Sequence, residues 1–310
     1  MARREQTEIV REFPERGRST KVDRVMTRAQ LFRSEATPGS SWEVAVRAPA
    51  PPLRPYFDAY TGYREESAAP VTRREVAGAR IVFILELGPP ILIADPSGRG
   101  ARFPTGFVAG LHDRYALTTH SGLQEGVQID LSPIGARLLF GTPLAELNNQ
   151  VVAFGDLVVA ERDLSERLRS IPSWDGRFDL LDRVLCTRLE APSPAGRVAA
   201  WAVGCIERAG GDIDVRSLAR DLGYSDKHVT RIFREHVGVG PKRFARIVRF
   251  GRLMDASRAR PEVSWAELAL AFGYYDQSHL VREVRDLAGM TPTELRGEPA
   301  AMAGFEQSFR

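Results

Sequence analysis

Short apolar runs punctuated by glycine, proline and aspartate dominate residues 42–130. Runs such as "ARIVFILEL", which starts at Ala79, and "GVQIDL", which starts at Gly126, are rich in β-branched side chains that favour strands. Turn signals such as "GPP" and "DPSGRG" follow these runs closely, and no helical period separates them. Several strands at short spacing predict an antiparallel barrel or sandwich, which we assign to residues 41–160.

The apolar period then becomes helical, which predicts a helical segment over residues 161–191. The apolar positions that recur at three- and four-residue spacing are Leu164, Leu168, Ile171, Phe178, Leu181 and Leu185. Such helices could cover the β-rich region or form a dimer face. The segment "APSPAG", which starts at Ala191, contains two prolines that prevent helix continuation. It predicts a linker over residues 192–196 and a domain boundary.

The two ends of the chain have a different pattern. Residues 1–40 have mixed charge and weak periodicity, which predicts disorder, with a short helix around 22–32 as an alternative. Residues 298–310 are predicted to be a tail.

One sequence unit occurs twice near the C-terminus. Its copies are "LARDLGYSDKHVTRIFREHVGVGPKRF" over 218–244 and "LALAFGYYDQSHLVREVRDLAGMTPTEL" over 268–295. Gly223 matches Gly273 at an offset of 50, whereas His228 matches His279 at an offset of 51. The second copy therefore has one extra residue between these positions. Because chance rarely repeats a spacing, we expect a duplicated structural unit.

Each copy predicts a helix, a tight turn and a second helix. Gly223 and Gly273 lie where the first helix must end, and glycine adopts the left-handed conformation needed there. Ser225 and Asp276 are good N-caps for the second helix. Residues expected to end the second helices and to begin the next ones are Gly238, Gly289, Pro241 and Pro292.

The exposed side of each second helix is polar and basic. The predicted DNA-contacting residues are Lys227, Thr230, Arg231 and Arg234 in the first copy, and Gln277, Ser278, Val281, Arg282 and Arg285 in the second. Arginine, lysine, glutamine, serine and threonine are the side chains that pair with base edges and phosphates.

The distribution of charge agrees with a polyanionic partner. Residues 197–296 contain 17 Lys and Arg against 13 Asp and Glu, although the whole chain has a net charge of only +3. Residues 227–260 alone hold ten basic residues against Glu235 and Asp255. Positive charge of this density favours nucleic acid over the alternative of a solvated helix face.

The second copy resembles the C-terminal signature of the AraC/XylS transcriptional regulators. The motifs A-x-x-x-G-Y, D-Q-S-H-L, R-x-x-R and G-x-T-P occur in order, and the resemblance covers residues 197–297. It implies two helix-turn-helix motifs joined by a rigid helix over 242–256, with each second helix in the major groove of double-stranded promoter DNA. Matched by position, the implied contacts come from Lys227, Thr230, Arg231, Gln277, Ser278 and Arg282. The family usually has aromatic residues where this chain has Val284 and Leu295, and we expect repacking there.

The resemblance also implies an α+β multidomain protein with a cupin-like N-terminal barrel that senses a ligand or mediates dimerisation. Expected partners are RNA polymerase, a small-molecule effector and a second copy of the chain. Since no apolar run reaches the ~20 residues of a membrane span, a cytoplasmic protein is expected. Cys186 and Cys205 are expected to be reduced thiols.

A rival interpretation is a small-molecule-binding or cupin-type enzyme domain fused to a DNA-binding domain. His112 and His120 lie in the β-rich region, but they lack the H-x-H spacing of metal-dependent cupins. His228 and His279 lack a partner at metal-ligand spacing, so no metal, cofactor or catalytic residue is expected. The aromatic residues Trp42, Phe57, Tyr60 and Tyr63 could line an effector cavity or pack in the core.

Overall fold

The structure, a computed structural model, describes residues 27–37 and 40–297. Its strands form two antiparallel sheets, with seven strands in the order β1-β2-β3-β10-β5-β8-β11 and four in the order β4-β9-β6-β7. The strands are β1 (Gln30–Thr37), β2 (Ser40–Arg47), β3 (Tyr60–Glu66), β4 (Val71–Glu75), β5 (Ile81–Glu86), β6 (Leu92–Ala94), β7 (Gly100–Arg102), β8 (Phe107–Ala109), β9 (Ala116–His120), β10 (Leu123–Leu131) and β11 (Val151–Ala153).

Residues 30–37 form the strand β1, so the prediction of disorder over residues 1–40 is wrong for them. The alternative of a short helix around 22–32 is wrong for residues 30–32, which belong to the same strand. It pairs with β2 from Gln30 opposite Val46 to Thr37 opposite Ser40. Arg33 lies opposite Glu43 and forms an ion pair of 2.6 Å with it. The strand is therefore formed by pairing with β2, which local periodicity does not reveal. Residues 1–26 and the predicted tail lie outside the described residues.

Of the two predicted β architectures, the sandwich is the one observed. The seven-stranded sheet ends at β1 and β11, and the four-stranded sheet ends at β4 and β7. The described strands therefore form two open sheets, which face each other where Ile84 packs against Ile93, and the β-rich domain is not a closed barrel.

Strand β5 is buried on both faces, which explains its continuous apolar run. Phe83 and Leu85 belong to the core under the covering helices, whereas Ile84 packs with Ile93 and Phe107 between the two sheets. One chain segment thus contributes to two apolar clusters.

Helices cover the outer face of the seven-stranded sheet, which is one of the two alternatives predicted for the helical segment. They are α1 (Pro133–Phe140), α2 (Phe154–Leu157), α3 (Leu164–Arg169) and α4 (Trp174–Arg188). Leu164, Leu168, Phe178, Leu181 and Leu185 are buried there, and Ile171 is half-buried. The buried Arg47 pairs with Asp179 at 2.6 Å and Asp182 at 2.7 Å on α4, which fixes that helix to β2.

The C-terminal region contains α5 (Pro194–Arg208), α6 (Val215–Asp221), α7 (Asp226–Val237), α8 (Pro241–Ala259), α9 (Trp265–Ala271), α10 (Gln277–Ala288) and α11 (Pro292–Gly297). Helix α5 begins inside the predicted linker, so that prediction is wrong for residues 194–196. The Ser193 side chain accepts a hydrogen bond of 3.0 Å from the Gly196 N–H, and Pro194 is tolerated in the first helical turn. Proline thus starts a helix here.

The apolar core continues across this boundary. Ala199, Val203 and Phe233 of the C-terminal helices share one cluster with Leu139 and Phe140 of α1. Within residues 27–37 and 40–297, the structure contains no helix long and apolar enough to span a membrane.

Candidate nucleic-acid interface

The first repeat forms a helix-turn-helix from α6 and α7. Gly223 adopts a positive φ of 71° in the turn, as predicted. The Ser225 hydroxyl accepts a hydrogen bond of 3.3 Å from the His228 N–H, which caps α7. Val229 and Phe233 are buried and hold α7 against the motif core.

The second repeat forms the same motif from α9 and α10. Gly273 has a φ of 71°, and the Asp276 carboxylate accepts a hydrogen bond of 2.7 Å from the His279 N–H. Leu280 and Val284 are fully buried. The two repeats therefore have matching turns, caps and buried faces.

The structure places the predicted contact residues on the exposed side of the two second helices. Lys227, Arg231, Arg234, Gln277, Ser278, Arg282 and Arg285 are exposed, and Thr230 and Val281 are half-buried. Arg231 lies 3.7 Å from Glu235 in an ion pair within α7. Within the described part of the chain, the other eight side chains form no ion pair or side-chain hydrogen bond. They are therefore available to an external partner.

Helix α8 connects the two motifs and is longer than the predicted 242–256. Its 19 residues correspond to a length of about 28 Å. Phe244 near its start packs against Phe233 of the first motif, with ring centroids 5.6 Å apart. Phe250 and Leu253 further along belong to the core of the second motif. Each part of α8 thus holds one motif.

Comparison with protein families identifies this region. The sequence model of a helix-turn-helix domain matches residues 218–298, which contain both motifs. The C-terminal part of this chain is an AraC-type helix-turn-helix domain. The chain is therefore a DNA-binding transcriptional regulator, as its sequence predicted. A second model, a domain of unknown function (DUF6597), matches residues 45–153. No protein of curated function matches the chain significantly by sequence.

Solved structures offer only distant likenesses. ToxT from Vibrio cholerae O395 is 11% identical, with a TM-score of 0.42 over 84% of this chain and 98% of that one. The AraC-like transcriptional activator CuxR is 13% identical, with a TM-score of 0.30 over 74% of this chain and 87% of that one. An iron(II) form of HppE is 10% identical, with a TM-score of 0.27 over 38% of this chain and 65% of that one. At such scores the family model alone supports the identification.

A buried polar cluster, which the sequence did not predict, holds α10 of the AraC-type domain against α8. The carboxylate of Glu283 accepts hydrogen bonds from Tyr274 at 2.7 Å, Arg246 at 3.0 Å and Arg249 at 3.1 Å. Burial, together with the adjacent Glu283 charge, raises the pKa of Tyr274, so its hydroxyl stays protonated and donates. Arg246 also pairs with the exposed Asp286 at 2.8 Å. Glu283 therefore sets the orientation of the second recognition helix.

Tyr275 is a further candidate contact that sequence reasoning missed. It occupies the extra turn position of the second repeat, directly before the N-cap Asp276, and 93% of its surface is exposed. The preceding Tyr274 is buried, with its ring 5.3 Å from that of His279. The offset between matching positions of the two repeats changes at this turn, and this change could have revealed Tyr275 as an extra residue.

The N-terminal sandwich contacts both motifs of the AraC-type domain. Asp113 forms an ion pair with Arg243 at the start of α8. Arg74 lies 4.1 Å over the Tyr115 ring and donates a hydrogen bond of 3.3 Å to the Ala288 carbonyl oxygen at the end of α10. Residues of the sandwich therefore touch the second recognition helix away from its exposed face.

The histidines and aromatic residues of the sandwich are engaged with neighbouring groups. His112 lies 2.6 Å from the Gly110 carbonyl oxygen, and His120 lies 3.1 Å from Arg73. Tyr60 stacks on Phe178, so it packs in the core under the helices. Among the described residues, no group of three or more His, Cys, Asp and Glu is placed to hold a metal ion.

Proposed function

We propose that the chain regulates transcription by binding double-stranded promoter DNA with α7 and α10 in successive major-groove segments. The observation that carries this proposal is the matched pair of motifs, each with an exposed face of basic and amide side chains that have almost no partner within the protein. One protomer thus presents two reading helices.

The two recognition helices have assigned roles in this proposal. Gln277 and Arg282 on α10 read base edges, because glutamine matches adenine and arginine matches guanine in the major groove. Arg231 reads bases from α7. Lys227, Thr230, Arg234, Ser278, Val281 and Arg285 provide the surrounding base, sugar and phosphate contacts.

The connecting helix predicts a deformation of the DNA. Two successive major-groove faces of straight DNA lie about 34 Å apart, whereas α8 is only about 28 Å long. If α8 holds the two recognition helices closer together than these faces, the DNA must bend, and its sequence-dependent stiffness then adds specificity. The basic residues of α8 supply phosphate contacts that make binding sensitive to salt.

The N-terminal sandwich modulates DNA binding in this proposal. A small-molecule effector or a second copy of the chain acts on it, and its contacts with α8 and α10 pass the signal on. RNA polymerase is the further partner, the chain is not an enzyme, and it acts in the cytoplasm. Arg74 and Asp113 supply the physical connection, since both bridge the sandwich to the AraC-type domain.

Selection of binding sites from a random DNA pool, followed by fluorescence anisotropy, tests the proposal. Arg282→Ala should weaken binding to the selected site by roughly 1–3 kcal/mol and relax the preference at one or two base pairs. The matched control is Arg183→Ala, which removes an exposed helical arginine of α4 outside the AraC-type domain. If both variants weaken binding equally, or if no sequence is enriched, the proposal is wrong.

A further inference from the structure

The turn of each motif is closed by a backbone hydrogen bond from a tyrosine. In the first motif, Tyr224 donates its N–H to the Ala219 carbonyl oxygen at 3.0 Å. In the second motif, Tyr274 donates its N–H to the Ala269 carbonyl oxygen at 2.9 Å. The ring of each tyrosine also lies near a histidine of the following helix, at centroid distances of 4.7 Å for Tyr224 and 5.3 Å for Tyr274. Tyr224 and Tyr274 therefore have the same place in the turn.

The position directly before the N-cap of the recognition helix is also a tyrosine in both motifs. Tyr224 precedes the N-cap Ser225, so it holds this position in addition to closing the turn. In the second motif the extra residue separates the two roles, because Tyr275 rather than Tyr274 precedes the N-cap Asp276. Counted from the N-cap, Tyr224 therefore matches Tyr275.

The buried carboxylate of Glu283 explains why the two turns differ. Tyr274 is 4% exposed and donates a hydrogen bond of 2.7 Å to Glu283, which holds its ring inside the protein. In the first motif Ile232 matches Glu283 at the offset of 51 and has no acceptor group for a tyrosine, and Tyr224 keeps 43% of its surface exposed. The extra residue of the second motif thus places a tyrosine on the surface again.

The Tyr275 side chain has no partner among the described residues. Its surface is 93% exposed, whereas the next most exposed large apolar side chain of the described residues, that of Val159, is 59% exposed. Its ring packs on no other ring or cation, and its hydroxyl forms no hydrogen bond within the described part of the chain. Its backbone N–H donates to His279 Nδ1 at 3.4 Å, so the free side chain starts from a fixed backbone. One exposed apolar side chain needs no explanation, but a tyrosine that recurs before both recognition helices does.

Tyr275 lies at the end of α10 that enters the major groove in the proposed function. The N-terminal residues of a recognition helix contact base edges, so the residue before its N-cap lies beside the strand that borders the groove. The Asp276 carboxylate accepts the His279 N–H at 2.7 Å and offsets the positive end of the helix, so a phosphate gains little from that end. Contact with the DNA backbone there depends on a neutral donor. Tyrosine supplies a hydroxyl on a rigid ring, with few rotatable bonds to immobilise.

We propose that Tyr275 is a further DNA-contacting residue, whose ring packs on a deoxyribose and whose hydroxyl donates a hydrogen bond to a phosphate at the edge of the major groove. This contact adds affinity beside α10 and leaves the reading of bases to Gln277 and Arg282. Tyr224 makes the corresponding contact beside α7, and that contact is smaller because less of the Tyr224 side chain is exposed. The inference rests on the proposed function, in which α7 and α10 lie in the major groove.

Fluorescence anisotropy with the selected DNA site and with random DNA tests the role of Tyr275. Tyr275→Phe removes only the hydroxyl and should weaken binding about threefold to tenfold, as expected for one hydrogen bond. Tyr275→Ala also removes the ring and should weaken binding further. Each loss should be equal on selected and random DNA, because a contact with the sugar and phosphate carries no base information. The slope of affinity against salt should keep its wild-type value, since a neutral hydroxyl releases no counterion.

Ethylation of single phosphates in the selected site locates the contact. Ethylation of the phosphate beside α10 should interfere with wild-type binding, and this interference should disappear in Tyr275→Phe while that at other phosphates persists. The control is Val159→Ala, which shortens an exposed apolar side chain outside the AraC-type domain and should match the wild type in affinity and interference. Hydrogen exchange of the α10 amides should be unchanged in both Tyr275 variants, because the helix keeps its N-cap and its buried residues.

Three results would overturn the inference and leave the DNA-binding proposal standing. The first is wild-type affinity and interference in both Tyr275 variants. The second is a loss confined to the selected site, which would make Tyr275 a reader of bases. The third is faster exchange of the α10 amides, which would make its role structural. If the wild-type chain itself enriches no DNA sequence, the proposed function fails, and the role of Tyr275 fails with it.

Discussion

Replacement of Glu283 by glutamine should loosen the second recognition helix. The Glu283 side chain is 5% exposed and accepts hydrogen bonds from Tyr274, Arg246 and Arg249. Glutamine keeps the shape but removes the charge, so two guanidinium groups lose their buried counter-ion. Breaking a buried pair costs about 3–5 kcal/mol, but Arg246 keeps Asp286 as a partner. We therefore expect a loss of roughly 2–3 kcal/mol.

Hydrogen exchange of the α10 amides measures this loss locally, because unfolding of the whole chain need not be two-state. A loss of roughly 2–3 kcal/mol corresponds to exchange about 30- to 150-fold faster over Gln277–Ala288. The control is Asp286→Asn, whose side chain is 66% exposed and whose ion pair should contribute less than about 1 kcal/mol. Equal effects of the two substitutions, or unchanged exchange in Glu283→Gln, would refute the role assigned to Glu283.

Three further substitutions test separate parts of the structure. Asp276→Ala removes the N-cap of α10 and should cost about 1 kcal/mol, measured by hydrogen exchange in the first turn of that helix. Gly289→Ala should destabilise the chain by at least about 1 kcal/mol in denaturant unfolding, because Gly289 has a φ of 73° and an added Cβ would collide with the Tyr115 ring. Burial raises the pKa of Glu86 to about 8 from an ordinary 4.5, so the folded state holds a proton that the unfolded state releases. Stability should therefore fall as the pH rises from about 4.5 to 8, by at most about 5 kcal/mol, and Glu86→Gln should flatten this slope in denaturant titrations. Unchanged pH dependence in Glu86→Gln would contradict the pKa assignment.

The repeat allowed the local structure of the AraC-type domain to be predicted in detail. The turns at Gly223 and Gly273 and the caps at Ser225 and Asp276 follow from short-range backbone chemistry, which one sequence displays directly. The exposed faces follow from the period of the buried residues. Because the unit occurs twice, the same pattern could be interpreted independently in two copies.

Features that depend on long-range contacts were not predictable in the same way. Glu283 looks like a surface residue of an amphipathic helix, and only the position of α8 brings two arginines to it. Strand β1 is polar and becomes ordered by pairing with β2. The prolines of the supposed linker were given the wrong role, because Ser193 supplies a cap and Pro194 then starts α5. The arginines beside Glu283 are distant from it in sequence, and β1 depends on pairing with another strand, so local patterns do not reveal these contacts. Proline indicates two opposite things, because it can stop one helix and begin the next.

Titration of the full chain with its selected DNA site at several salt concentrations tests the central claim most directly. Wild-type affinity should fall linearly on a log–log plot of the binding constant against salt, with a slope set by the phosphates contacted. Arg231→Ala and Arg282→Ala should each weaken binding to the selected site by roughly 1–3 kcal/mol and affect random DNA much less. Their losses should fall on different base pairs, since the residues lie on different recognition helices. Salt-insensitive binding, or equal losses on selected and random DNA, would contradict an account in which both helices read the major groove.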